Sequence, residues 1–102
     1  MLSHEMHKAI ATKLEQNPAL LQIALDNIDH WMSLSDDGKR HLLMWRERIL
    51  RARENPEEFR KLMDFLRSPK EDALEMQGYT PFPGVLDKEE SNRIIDLCVY
   101  SH

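Results

Sequence analysis

One cysteine, three glycines and the absence of any long apolar run set the first limits on this 102-residue chain. Cys98 alone cannot close an internal disulfide, which fits a reducing cytoplasm. Between Leu97 and Val99 it reads as a small buried thiol. Gly38, Gly78 and Gly84 stand too far apart to form a glycine-rich loop that cradles phosphate. Stretches such as Leu42-Leu43-Met44-Trp45 are too short to cross a bilayer, so no membrane role is expected. Met1-Leu2-Ser3-His4-Glu5 has neither the basic nor the apolar region of a secretory signal. Low-complexity tracts and internal repeats are absent.

What the chain has in quantity is charge. With 41% hydrophobic and 31% charged residues it reads as a soluble globular protein. The net charge of −4 argues against a surface that coats nucleic acid as a whole. That charge is unevenly spread: Lys39, Arg40, Arg46, Arg48, Arg51 and Arg53 against Glu47 give residues 39–53 a balance of +5, leaving −9 elsewhere. An acidic molecule with one basic helix is the outcome.

Five punctuation points, Asn17-Pro18, Ser35-Asp36, Asn55-Pro56, Ser68-Pro69 and Asp87-Lys88, place capping side chains before helical runs. They predict an all-α, single-domain bundle of five to six short helices over residues 1–102. The first helix spans about 4–16 behind a Ser3 cap, with Met6, Ala9, Ile10, Lys13 and Leu14 on one stripe. The second, 18–32, is apolar over more than half its circumference and is expected near the centre. The third, 36 or 39 to 53, packs Leu42, Leu43, Trp45, Ile49 and Leu50. At 100° per residue, Arg40, Met44, Arg48 and Arg51 then form a basic ridge facing outward. The fourth opens at Asn55-Pro56 and packs Phe59, Leu62, Met63 and Leu66. Ser68-Pro69-Lys70-Glu71 reads as a capping box for a short fifth helix, with Gly78 as its left-handed stop. Residues 79–86 form an extended, proline-containing connection. Asp87-Lys88-Glu89-Glu90 is a second capping box, and Ile94 to Tyr100 continues as helix, with an extended final turn as the alternative. Trp31, Trp45, Phe59 and Leu62 are expected in the core.

Catalytic and metal-binding motifs are hard to find. His4 and His7 share a helical face as half a zinc site would, but nothing supplies the other ligands. They read as a solvated helix start. Asp26, Asp29, Asp36 and Asp37 lack calcium-loop spacing. Cys98 has no histidine beside it in sequence to act as base. No enzyme activity, cofactor or metal is expected.

Two polar or aromatic features remain. Arg40, Arg48 and Arg51 can grip phosphates or a partner's carboxylates, or simply form a solvated face. Gly38 invites a helix-turn-helix reading, weakened by a long acidic loop and the lack of asparagine or glutamine on the third helix. Tyr79 and Phe82 lie on a stiff path that either belts the open end of the bundle or anchors another protein. Tyr100 belongs to an apolar tail that packs within one chain or across two, or docks on a partner.

Lys13-Leu14, Asn17-Pro18, Leu21, Ile23, Ala24, Asn27, Ile28, Trp31, Trp45 and Ile49-Leu50, with Ser68-Pro69, Glu71 and Pro81 to Leu86, give the chain a wider likeness. It resembles a group of small bacterial all-helical proteins, largely without assigned roles, that are often encoded beside toxin-like genes. The resemblance implies an antitoxin-type role and carries no catalytic residues. The leading expectation is a cytoplasmic protein–protein interaction module that acts by occlusion, docking through Phe82 or the Ile94–Tyr100 tail. The alternative is a dimeric DNA-binding protein using helix 39–53, so a homodimer is also compatible with the sequence.

Overall fold

Asn55 shows how the end-signals work. Its side chain accepts from the Glu57 N–H at 2.8 Å, and Pro56 takes the first helical position, where no N–H is needed. The computed structural model describes the backbone of residues 2–100 and the side chains of residues 4–96. Within it lie six α-helices: α1 (Leu2–Gln16), α2 (Leu21–Leu34), α3 (Lys39–Glu54), α4 (Pro56–Arg67), α5 (Glu71–Gln77) and α6 (Lys88–Tyr100). A 3₁₀ turn, Pro18–Leu20, joins α1 to α2. The described residues form no strand, so the all-α bundle expected from sequence is the architecture found.

The reciprocal box at Asp87 forms as expected. Asp87 Oδ1 accepts from the Glu90 N–H at 2.7 Å, and the Asp87 N–H donates to Glu90 Oε1 at 3.0 Å. Other end-signals behave differently. α1 begins at Leu2, ahead of Ser3. Asn17 makes no side-chain cap bond, because the chain tightens at once into the 3₁₀ turn. Ser68 Oγ accepts from the Lys70 N–H at 3.2 Å, two residues on, so it closes a turn and Lys70 stands at the cap of α5. Gly78 has φ −67°, a right-handed value, so it is no left-handed stop. The left-handed glycines are Gly38 (φ 69°) and Gly84 (φ 97°).

The core gathers Leu14 from α1, Ile28 from α2, Trp45 and Ile49 from α3, Leu62 and Leu66 from α4, and Phe82 from the 79–86 connection. Full burial of a side chain of this size contributes roughly 1.5–3 kcal/mol. The middle of the bundle belongs to α4, packed between α1 and α3, and not to α2. Trp45 is fully buried and touches Phe65 and Phe82 edge-on, at 5.5 and 5.3 Å between centroids. Trp31 and Phe59, expected inside, are only half-buried against that core. Leu43 and Leu50, expected to pack, face outward, since α3 turns only its Leu42, Trp45, Ile49 and Ala52 row inward.

α1 keeps Ile10 and Leu14 of the expected stripe inside but turns that stripe toward His7 and Ala11. His7, Ile10, Ala11 and Leu14 are buried, whereas Met6, Ala9 and Lys13 lie at the margin. Lys13 Nζ reaches Glu90 at 2.9 Å and ties α6 to α1. On the other flank Arg67 holds Glu15 with two bonds, 2.6 and 2.9 Å, joining α4 to α1.

Candidate functional site

Among the described residues Tyr79 is the large aromatic that the fold leaves exposed. As α5 ends, Gly78 N–H bonds to the carbonyls of Leu74 and Glu75, and Tyr79 N–H to that of Met76 at 3.0 Å. This tight exit turns Tyr79 toward the start of α3. There its ring stacks on His41, with centroids 3.8 Å apart and planes 9° from parallel. Gly38 makes the approach feasible, since a Cβ at that position would lie 3.1 Å from Tyr79 Cδ1. The Tyr79 side remains 44% exposed. Half-buried Trp31 and buried Leu42 share a hollow of about 260 Å³ with it. Leu34, three residues past Trp31 on α2, is 70% exposed. The result is an aromatic platform with an apolar border at one end of the bundle.

The basic ridge lies beside this platform but is more heavily engaged than its sequence suggests. The Arg48 guanidinium sits 4.0 Å over the Phe65 ring, a cation–π contact that draws it inward instead of outward. Arg51 pairs with Glu47 one turn back on α3. Arg40 has no ion-pair partner among the described residues, and it lines a cleft of about 230 Å³ with Asp72 and Glu75 of α5. A second cleft, about 220 Å³, sets Glu58 beside Arg48 and Arg51. Acids therefore line both sides of the ridge. The α2–α3 turn, Ser35–Gly38, is shorter than expected because α2 runs on to Leu34. A turn of that length suits a helix-turn-helix, but the outward row of α3 alternates Lys39, Leu43, Glu47, Leu50 and Glu54.

Phe82 is 1% exposed, so it belts the core and offers no anchor to a partner. Asn27 holds the belt: its amide donates to the carbonyls of Pro81 at 2.9 Å and Pro83 at 2.8 Å. Gly84, with φ 97°, bends the chain beside Ile23. His7 is 2% exposed, not solvated, and shares a 2.8 Å hydrogen bond with Thr80 Oγ1. His4 meets Gln77 at 3.2 Å, and Gln77 in turn donates to the Leu66 carbonyl. The two histidines thus seam α1 to α5 and the belt. An apolar groove of about 570 Å³ runs between Met6, Ile10, Phe82 and Leu86, and its described lining carries no charged side chain. No three potential metal ligands cluster among the described residues. The side chains of Cys98 and Tyr100 lie outside them.

No family model, curated protein or solved structure matches this chain. Of the residues singled out from sequence, the fold brings Arg40 and Tyr79 to one end, on either side of His41. It sets Arg48 and Arg51 along the neighbouring cleft and takes Phe82 away into the core. Asn27 and His7 were the residues that local patterns did not pick out for these roles. Their signal is a polar side chain set among apolar neighbours on a helix face, Asn27 beside Ala24 and Ile28, His7 beside Ile10 and Ala11.

Proposed function

We propose that this chain is a protein–protein interaction module of a bacterial cytoplasm, an antitoxin-type neutraliser that acts by occlusion. The observation that carries this reading is the exposed Tyr79 ring held flat on His41 beside Trp31. Tyrosine, tryptophan and arginine dominate the energetic centres of protein interfaces. A ring already fixed by stacking loses little freedom when a partner covers it. Arg40, with no internal ion pair among the described residues, is placed to meet a partner carboxylate at the edge. No helix among the described residues is long and apolar enough to cross a membrane.

DNA binding is the less favoured reading. Glu47, Glu58, Asp72 and Glu75 line the same clefts as the arginines and would repel a phosphate backbone. The test is capture from a bacterial host that carries the protein. Wild type should recover one stoichiometric partner, and Tyr79→Ala with Arg40→Ala should lose it with circular dichroism unchanged. Recovery of the protein alone, or of a partner indifferent to both substitutions, sinks the proposal.

A further inference from the structure

The outward side of α3 is written in three rows with a seven-residue step. Lys39, Arg46 and Arg53 form a basic row, Leu43 and Leu50 an apolar one, and Glu47 and Glu54 an acidic one. Residues seven apart on an α-helix drift by only about 20°, so each row runs nearly along the axis. Around the circumference the order is basic, leucine, acidic. Both leucines are 43% exposed, and no described element covers them. The charged rows have only exposed partners inside the chain: Asp36 at 4.0 Å from Lys39, Asp29 at 3.6 Å from Arg46, Gln22 at 3.2 Å from Arg53, and Arg51 beside Glu47. Exposed pairs of this kind contribute little and exchange readily. Glu54 has no ion-pair partner among the described residues.

We propose that this face pairs with a second copy of the chain, α3 alongside α3 in parallel, about a two-fold axis running along the helices. The charge order selects both the occupant and the direction. A two-fold rotation along the axis turns the basic edge of each copy toward the acidic edge of the other. Arg46 then meets Glu47 of the partner subunit, and Arg53 meets Glu54 of the partner subunit. Leu43 and Leu50 each meet their own counterparts in a short leucine seam. Antiparallel pairing sets Arg46 against Arg46 and Glu47 against Glu47, which is repulsive at both edges. A seam of two heptads is small for a stable interface, so the dimer dissociates on dilution. This face lies on a different side of α3 from His41 and Tyr79, so pairing and partner capture are independent.

Sedimentation equilibrium of the full chain tests the proposal. Wild type should move from the 12.1 kDa monomer toward twice that mass as concentration rises. Leu43→Glu with Leu50→Glu should stay monomeric at every concentration with unchanged helical signal. If those leucine variants lose their fold, the charged rows decide. Glu47→Arg alone should abolish the dimer, and Arg46→Glu with Glu47→Arg should restore it. In a Cys98→Ser background, Leu43→Cys should cross-link to itself on mild oxidation. Cross-linking only between Leu43→Cys and Leu50→Cys chains contradicts the parallel arrangement. A wild-type protein that stays monomeric, or a charge swap that restores nothing, overturns the pairing.

Discussion

The Trp45 indole N–H donates to the Met76 carbonyl at 2.9 Å, a fully buried bond between the middle of α3 and the last turn of α5. The short α5 has few other reasons to dock, since Leu74 is 42% exposed and only Ala73, Met76 and Gln77 turn inward. The indole therefore does two jobs, filling the core between Phe65 and Phe82 and giving the Met76 carbonyl a second donor beside the Tyr79 N–H. Trp45→Phe keeps most of the packing and removes one of the two bonds to that carbonyl, which still accepts from the Tyr79 N–H, at a cost of about 0.5–1.5 kcal/mol. Trp45→Ala adds the cavity and costs about 3–5 kcal/mol. Urea unfolding of both variants should give this order, and a Trp45→Phe variant as stable as wild type would mean that the bond contributes nothing.

Asn27 is the clamp on the proline belt. Its two donated bonds are the described side-chain link between α2 and the Pro81–Pro83 segment. At a net 0.5–1.5 kcal/mol each, Asn27→Ala should cost roughly 1–3 kcal/mol. The loss should be felt locally first. Limited proteolysis should cut within residues 79–86 faster in the variant, while Asn27→Asp, which lacks donors, should behave like alanine. Unchanged cleavage would show that Phe82 burial alone holds the belt.

These two contacts mark how far the sequence could be read. The helical count and most boundaries follow from signals within a few residues of one another. Asn55-Pro56 and the Asp87–Glu90 box work because each cap and its target are neighbours in the chain. The belt was legible as non-helical backbone, but neither its turn over Phe82–Val85 nor its role was. Phe82 is drawn inward by Asn27, more than fifty residues away, and no local period records that. The same holds for His7, whose partner Thr80 arrives from the other end of the chain. On α3 the error ran the other way. Apolar type alone does not place a residue in the core, since a helix can turn only one stripe inward, and Trp45 takes that place ahead of Leu43 and Leu50. Tyr79 and Arg40 were visible as candidates. Their meeting at His41 depended on a left-handed Gly38 that no cap signal announces.

Acid should loosen α6 before the rest. The Glu90 carboxyl is held below its ordinary value, first by the Asp87 backbone N–H and then by the Lys13 ammonium. A depressed carboxylate stabilises the fold above its unfolded value, and that contribution is lost as pH falls through the folded one. The Lys13 ammonium is shifted the opposite way, upward, chiefly by its hydrogen bond to Glu90, so its share is lost only as alkali passes its raised value. Glu15 is lowered by Arg67 and weakens the α1–α4 seam in the same acid range. Amide exchange in α6 should therefore quicken between about pH 5 and 3. Glu90→Gln, which keeps a capping side chain but no charge, should flatten that dependence. A wild-type α6 whose exchange does not respond beyond the intrinsic rate would refute the linkage.

The arginine clefts give a direct check on nucleic acid. With Arg51 paired, Arg48 laid on Phe65 and acids on each side, a duplex DNA fragment should keep its mobility at low salt. Arg48→Glu with Arg51→Glu should leave that result unchanged. A shift that fades steeply with added salt and disappears in the double variant would instead make α3 a phosphate-binding helix.

Gly38 links the fold to the proposed function most tightly. Its φ of 69° is a conformation that costs an L-residue roughly 1–2 kcal/mol, and its missing Cβ leaves room for the Tyr79 ring 3.1 Å away. Gly38→Ala should therefore do two separable things. Stability should fall by about that strain, measured by urea unfolding, because the turn into α3 must either hold the strained backbone or move. Independently, the ring must give by a few tenths of an ångström over His41. The His41 ring protons sit under the Tyr79 face and are shielded by it, so in wild type they resonate upfield of their positions in Tyr79→Ala. In Gly38→Ala they should shift part of the way toward the Tyr79→Ala positions. Partner capture should weaken in step with that shift and not with the stability loss, which Asn27→Ala controls for at similar cost. If capture survives in Gly38→Ala while the His41 signals move, the flat aromatic platform is not what the partner recognises.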